Sequence, residues 1–401
     1  MNDSRGSKAA MTAAFVLLAG FLVLFVGGGA RFAIGLTFKP IVEHFSWDRS
    51  DLGLAVAAFQ VVSAITMFGA GYVADRTGAR PILIAGMLIA ALGIGLMSTI
   101  AAPWHALVLY GIIFAIGNGA ASVIPVGVMV SRTFPNRTGL ANSVVISGLS
   151  LGQLVMIGSL AAVLVTVSWQ SVFVLLGVAH LLVVPFLFFA IPKTKVGQIT
   201  SQPAEGLSLA EAAKTRKFWT LLAVYAICGF DDFFVSTHVV AFAQDRGLST
   251  LLAGNLLAVM GLTALLGVFV AGAMSDRLGP AWPTAASFVA RILAFGLLMI
   301  DQSTVSIAIF ALVFGATFLV TAPLTVLFVS DNFGMRHLGS LTGIITLVHH
   351  ICGAAGAYLG SAVFDSTGSY DFVFPVMLAS SIFALLLTFP LLTPVRVKSD
   401  F

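Results

Sequence analysis

Gly71-Tyr-Val-Ala-Asp75-Arg76-Thr-Gly78-Ala-Arg80 and Gly272-Ala-Met-Ser-Asp276-Arg277-Leu-Gly279 are two copies of one short polar loop, spaced from 71 to 272, or 201 residues. Each follows a long apolar run and precedes another. Phe134 and Arg137 match Phe333 and Arg336 at a spacing of 199, and Trp169 matches Tyr370 at 201. Three loops repeating at half of a 401-residue chain imply two similar halves.

The residues between the loops set the environment. Hydrophobic residues make up 59% of the chain and charged residues 9%, against about 45–50% and about 25% in soluble domains. With a mean hydropathy of +1.05, these values exclude a soluble enzyme, a nucleic-acid-binding module and a disordered chain. A membrane helix needs about 20 apolar residues. Such runs occur at 12–37, 52–74, 81–100, 105–130, 139–167 and 170–191 in the first half. In the second half they lie at 218–243, 250–274, 282–300, 303–328, 339–363 and 372–392. The expected fold is all-α and membrane-integral, with twelve transmembrane helices in two pseudo-symmetric six-helix bundles. Residues 1–191 form the first bundle and 218–401 the second. Between them PKTKVGQITSQPAEGLSLAEAAKTRK, at 192–217, holds five Lys or Arg, two Glu and two Pro, a polar linker.

The net charge of +4 is arranged by topology. If the N-terminus is inside, fifteen of the 20 Lys and Arg fall in inner segments. Lys39, Arg49 and Arg246 fall outside, while Arg31 and Arg291 lie within spans. The positive-inside bias places both termini and the linker in the cytoplasm of a multi-pass plasma (inner) membrane protein.

GYVADRTGARP, at 71–81 between spans two and three, is similar to the loop signature of the major facilitator superfamily, Gly-x-x-x-Asp-Arg-x-Gly-Arg-Arg. In the second copy Pro280 and Ala281 stand where basic residues would follow. The resemblance covers the whole chain. It implies that Gly71, Asp75, Arg76, Gly78 and Arg80, with Asp276 and Arg277, form a conformational latch on the cytoplasmic side. A carboxylate at Asp75 can also pair with the neighbouring guanidiniums and approach a helix N-terminus. Three further segments resemble the bacterial monocarboxylate-transporter-like branch: GGGARFAIGLTFKP at 27–40, THVVAFAQDRGLS at 237–249 and FDSTGSYD at 364–371. Human monocarboxylate carriers hold an arginine in the eighth span, and GLTALLGVFVAGAM at 261–274 holds none.

Ionisable residues within spans mark function. Arg31 is in span one, Asp231, Asp232 and His238 in span seven, Arg291 in span nine, and His349 and His350 in span eleven. Asp231 and His238 are seven residues apart, two turns, so they share a helix face while Asp232 points roughly 100° away. Adding the repeat spacing to Arg31 gives Asp232. The resemblance implies that spans one and seven face each other across a central cavity, so an Arg31–carboxylate pair is expected. Substrate-binding candidates are Arg31, Asn118, Arg291 and His349; Arg291 could instead pair with an aspartate or snorkel. Proton-coupling candidates are Asp231, Asp232 and His238. Gln60, Asn142, Gln153 and Thr321 are further polar positions on spans, and His180 reads as structural. Gly148 and Gly152 allow close helix packing. Pro125 and Pro323 are expected to kink spans four and ten.

No phosphate-cradling loop is present, no Cys/His cluster has metal-ligand spacing, and Cys228 and Cys352 read as apolar packing. No cofactor, metal, nucleic-acid partner or enzymatic activity is expected. The leading expectation is a monomeric secondary transporter that moves a small organic anion, a monocarboxylate, with protons by alternating access. The alternative is a larger neutral or aromatic solute, vitamin-like or drug-like.

Overall fold

In hydrocarbon, backbone polar groups must be satisfied within the segment, so each apolar run closes its hydrogen bonds as a helix. The computed structural model describes residues 2–134, 138–192 and 206–392; the side chains of 2–10, 75, 138 and 139 lie outside the described set. Among the described residues, twelve helical segments are long and apolar enough to span a membrane. The first six are α1 (Met11–Phe45), α2 (Arg49–Ala74), α3 (Ala79–Thr99), α4 (Pro103–Thr133), α5 (Leu140–Val163) and α6 (Trp169–Ala190). The next six are α7 (Arg216–Asp245), α8 (Thr250–Leu278), α9 (Ala281–Ile300), α10 (Thr304–Phe333), α11 (Leu338–Thr367) and α12 (Val373–Leu392). α1 runs through Pro40 to Phe45, past the expected end at 37.

Contacts divide the chain into two compact units. The first holds 1–198 with 249–261, and the second holds 199–248 with 262–401. The early part of α8 joins the first unit because Gly254 and Gly261 let its backbone approach Ala161 and Ser150 of α5. There the Gln153 amide donates to the Leu257 carbonyl at 2.9 Å.

Each unit contains a glycine-seamed helix pair. In the first, side chains at Gly148 and Gly152 of α5 would collide with the α1 backbone at Phe21 and Phe25. In the second, Gly229 of α7 lies against the His349 backbone, and Gly353 and Gly356 of α11 lie against Phe233 and Phe230. Gly152 and Gly353 are one repeat apart. Small residues matter here because membrane helices associate by close packing rather than by escape from water.

Pro125 and Pro323 act differently from the expected mid-helix kinks. α4 breaks at 121–122 and restarts at Val123; α10 breaks at 319–320 and restarts at Thr321. Each proline is thus third in its new helical segment, where a missing N–H costs no intrahelical bond. α4 is also π-helical over Leu107–Phe114 and α5 over Gln153–Ile157, which the apolar pattern does not foretell.

The repeated loop needs glycine at one position per copy. Gly78 has φ 86° and ψ 156°, and Gly279 has φ 82°. Gly272, in the same motif, is helical with open space where a Cβ would go. Gly78→Ala is therefore expected to destabilise the protein by about 1–3 kcal/mol, whereas Gly272→Ala should be neutral or stabilising by up to about 1 kcal/mol. Thermal unfolding of the two purified variants checks the contrast.

Of the linker 192–217, residues 193–205 lie outside the described residues. Beyond them, the Leu207 amide donates to the Phe333 carbonyl at 2.7 Å, securing the approach to α7 against the end of α10. Ser208 and Glu211 cap the short helix Leu209–Ala212 reciprocally. The Ser208 hydroxyl and amide hold the Glu211 carboxyl below its usual range.

Candidate functional site

The break in α10 supplies polar atoms at membrane depth, and a buried charge cluster gathers on them. Arg291 of α9 is 0% exposed. Its Nε donates to Thr317 Oγ1 at 3.1 Å, Nη2 to the Thr317 carbonyl at 3.3 Å and Nη1 to the Cys228 carbonyl at 3.4 Å. The guanidinium carbon lies 4.9 Å from the Phe314 ring centroid. Nη2 is 2.7 Å from Asp232 Oδ1, and Nη1 is 4.0 Å from Asp231 Oδ2.

The adjacent aspartates diverge, as their helical spacing requires. Asp231 faces α12, where the Ser380 and Ser381 hydroxyls each donate to it at 2.8 Å. Asp232 faces α9, α10 and α11. Its Oδ2 accepts from the Cys228 thiol at 3.3 Å and lies 3.9 Å from His349 Nε2. Cys228 Sγ is also 3.4 Å from Thr321 Oγ1. His349 Nδ1 is 3.1 Å from the Tyr225 carbonyl. A carbonyl only accepts, so Nδ1 carries the hydrogen and Nε2 is the basic nitrogen. Two acceptors, Nε2 and Oδ2, therefore face each other, an arrangement that calls for a cation on or between them.

The structure assembles part of the expected set and rearranges the rest. Asp231, Asp232, Arg291 and His349 come together, with Arg291 in the ion pair that was the alternative to substrate contact. The cation set against Asp232 is thus Arg291 of α9, where Arg31 was expected. Arg31 is half-buried in α1, 5.5 Å from the Phe32 ring, and its backbone carbonyl accepts from Tyr110 at 3.0 Å. Asn118 donates to the Gly27 carbonyl of α1 at 3.4 Å. His350 packs against Phe233 at 5.2 Å.

His238 lies apart from that set. Although it shares a helix face with Asp231 by count, it belongs to another cluster. Its Nε2 donates to the Ala357 carbonyl at 2.8 Å, and its Nδ1 lies 3.0 Å from the Tyr370 hydroxyl, which can donate or accept. These partners seat the ring between α7 and α11, beside Tyr370. His180 accordingly donates to the Leu176 carbonyl at 2.8 Å.

Cys228 is a correction: it reads as apolar packing, yet its sulfur contacts Asp232. The signal was the four-residue spacing, which puts both on one helix face. Thr317, Ser380 and Ser381 carried no such signal.

In the loop motif, the side chain of Asp75, and Arg137 further on, lie outside the described residues. Gly71 packs against Ile124. Arg76 stacks 3.9 Å over the Tyr72 ring, and Arg80 donates to the Phe188 carbonyl of α6 at 2.7 Å. Asp276 and Arg277 are exposed.

Twelve spans in a duplicated chain, with a costly charge cluster buried at membrane depth, define a multi-pass membrane transporter. The model of the Major Facilitator Superfamily matches residues 20–357 and again 221–400. The chain is 26% identical to the uncharacterized MFS-type transporter YcxA of Bacillus subtilis (strain 168) over 378 residues, 89% of each chain. It is 24% identical to monocarboxylate transporter 11 of Homo sapiens, covering 92% of this chain and 80% of that one. Its fold is similar to a crystal structure of the nucleoside transporter NupG, with a TM-score of 0.80 at 12% identity over 95% of this chain and 100% of that one. The chain belongs to the Major Facilitator Superfamily.

Proposed function

We propose that the protein moves a small organic anion, a monocarboxylate, together with a proton by alternating access. The observation that carries this reading is the facing pair of acceptors at His349 Nε2 and Asp232 Oδ2, 3.9 Å apart. With both aspartates ionised and His349 neutral, the cluster holds two negative charges and one positive. Buried charge is tolerated when balanced. One proton on Asp232, Asp231 or His349 balances it, so the set can load and unload a proton as its exposure changes.

The anion is assigned to Arg31 of α1, with Asn118 as a further contact. Arg291 holds the aspartates and is not assigned to substrate. The likeness to a monocarboxylate transporter supports a carboxylate as cargo. The halves 1–191 and 218–401 are the two working bundles, and Gly71, Asp75, Arg76, Gly78, Arg80, Asp276 and Arg277 belong to the latch. Both termini and the segment 192–217 lie in the cytoplasm, the membrane is the plasma (inner) membrane, and the protein works as a monomer.

Counterflow of labelled lactate or pyruvate in proteoliposomes, with and without a pH gradient, tests this. Exchange that an inward proton gradient turns into accumulation is the expected result. Exchange indifferent to pH removes the proton. Failure of both acids alongside exchange of an aromatic or vitamin-like solute removes the monocarboxylate.

A further inference from the structure

Cys228, Asp232 and His349 bring a thiol, a carboxylate and an imidazole together from two helices, with Sγ, a carboxylate oxygen and a ring nitrogen all within 4.8 Å of one another. The geometry points to a binding site for a borderline-soft divalent cation of the zinc class, on the same atoms that would take a proton.

Four observations converge. The donor set is one that zinc takes: a sulfur, an imidazole nitrogen and a carboxylate oxygen. Zinc bonds of about 2.0–2.3 Å in a tetrahedron separate ligand atoms by roughly 3.3–3.8 Å. Sγ to Oδ2 is already 3.3 Å and Nε2 to Oδ2 is 3.9 Å. The imidazole is oriented as metal-binding histidines are, with the far nitrogen donating to a backbone carbonyl, here Tyr225 at 3.1 Å. Asp232 divides its two oxygens, Oδ1 toward Arg291 at 2.7 Å and Oδ2 toward Cys228 and His349. One carboxylate can therefore serve the guanidinium and a metal together. Thr321 Oγ1, 3.4 Å from the sulfur, borders the fourth position.

Charge favours occupancy. On binding, the Cys228 S–H bond breaks, its proton leaves to solvent, and a metal–sulfur bond forms. A divalent ion, one thiolate, two aspartates and Arg291 then sum to zero. The same positions carry a surplus negative charge when the thiol is protonated, both carboxylates are ionised and no cation is present. Entry is by way of His349, whose side chain is 17% exposed while that of Asp232 is 3% exposed.

Co²⁺ is the probe, because a cobalt–thiolate bond absorbs in the near ultraviolet and can be read on purified protein without any transported solute. The expected result is one Co²⁺ per chain with a thiolate band that Zn²⁺ displaces. The band disappears in Cys228→Ser and persists in Cys352→Ser, the other free cysteine. His349→Gln removes a ligand outright and should weaken binding by more than the roughly 10–100-fold that loss of an outer-shell partner costs. Melting curves of the metal-free variants establish that they fold, and the Cys352→Ser protein keeps the test decisive if Cys228→Ser does not. No thiolate band, equal binding in Cys228→Ser, or loss of the band in Cys352→Ser would overturn the site. Because the readout needs no transport, it stands or falls separately from the monocarboxylate reading. If both hold, Zn²⁺ should block proton-driven accumulation in the parent protein and leave Cys228→Ser at least tenfold less sensitive.

Discussion

Arg291→Met should lower stability by about 3–5 kcal/mol, the loss measured when one partner of a buried ion pair is removed. The guanidinium is wholly buried and its polar contacts are to α7 and α10, so its removal leaves Asp232 a buried carboxylate without the cation set 2.7 Å from it. The expected measurements are a lower melting midpoint and a reduced yield of folded protein in detergent. Adding Asp232→Asn should recover most of the loss, because buried pairs replaced by neutral groups are often as stable as the original. An Arg291→Met protein as stable as its parent would show that the ion pair contributes nothing to the fold.

Arg31→Ala should produce the opposite profile, a protein that folds and does not transport. The residue is half-buried, and the Tyr110 hydrogen bond is to its backbone, which alanine keeps. Losing a buried charge partner for a carboxylate costs about 2–5 kcal/mol, so anion affinity should fall roughly 30-fold or more. Arg31→Lys should recover only part, since an ammonium lacks the planar fork that grips a carboxylate. Solute-induced thermal stabilisation and proteoliposome uptake read the two steps separately. Arg31→Ala protein that reaches the membrane and transports at the parent rate takes Arg31 out of the binding site.

The duplicated architecture was readable because its causes are local. A span is a run of apolar residues, and its helical form follows from the lack of water to satisfy the backbone. The repeat was readable because Gly78 and Gly279 adopt a backbone conformation that other residues resist, so the motif persists in both halves. Gly148 and Gly152 likewise announced a close helix contact, and the structure supplies α1 as the partner. The prolines were read as kinks. Their place just after a helix break depends on where the preceding segment ends, which spacing alone does not report.

Amino-acid order alone determined that this chain lies in a membrane, that it is two copies of a six-span unit, and which few residues carry charge inside it. Each of these is a property of single segments in a uniform apolar medium. Tertiary packing decided the partnerships. It gave Asp232 to Arg291, Cys228 and His349, turned Asp231 to two serines of α12, and withdrew His238 into a contact with Tyr370. Helical period tells which residues share a face but not which helix that face will meet. Because a buried charge is costly until it finds its complement, that meeting is where the chemistry of this protein is settled.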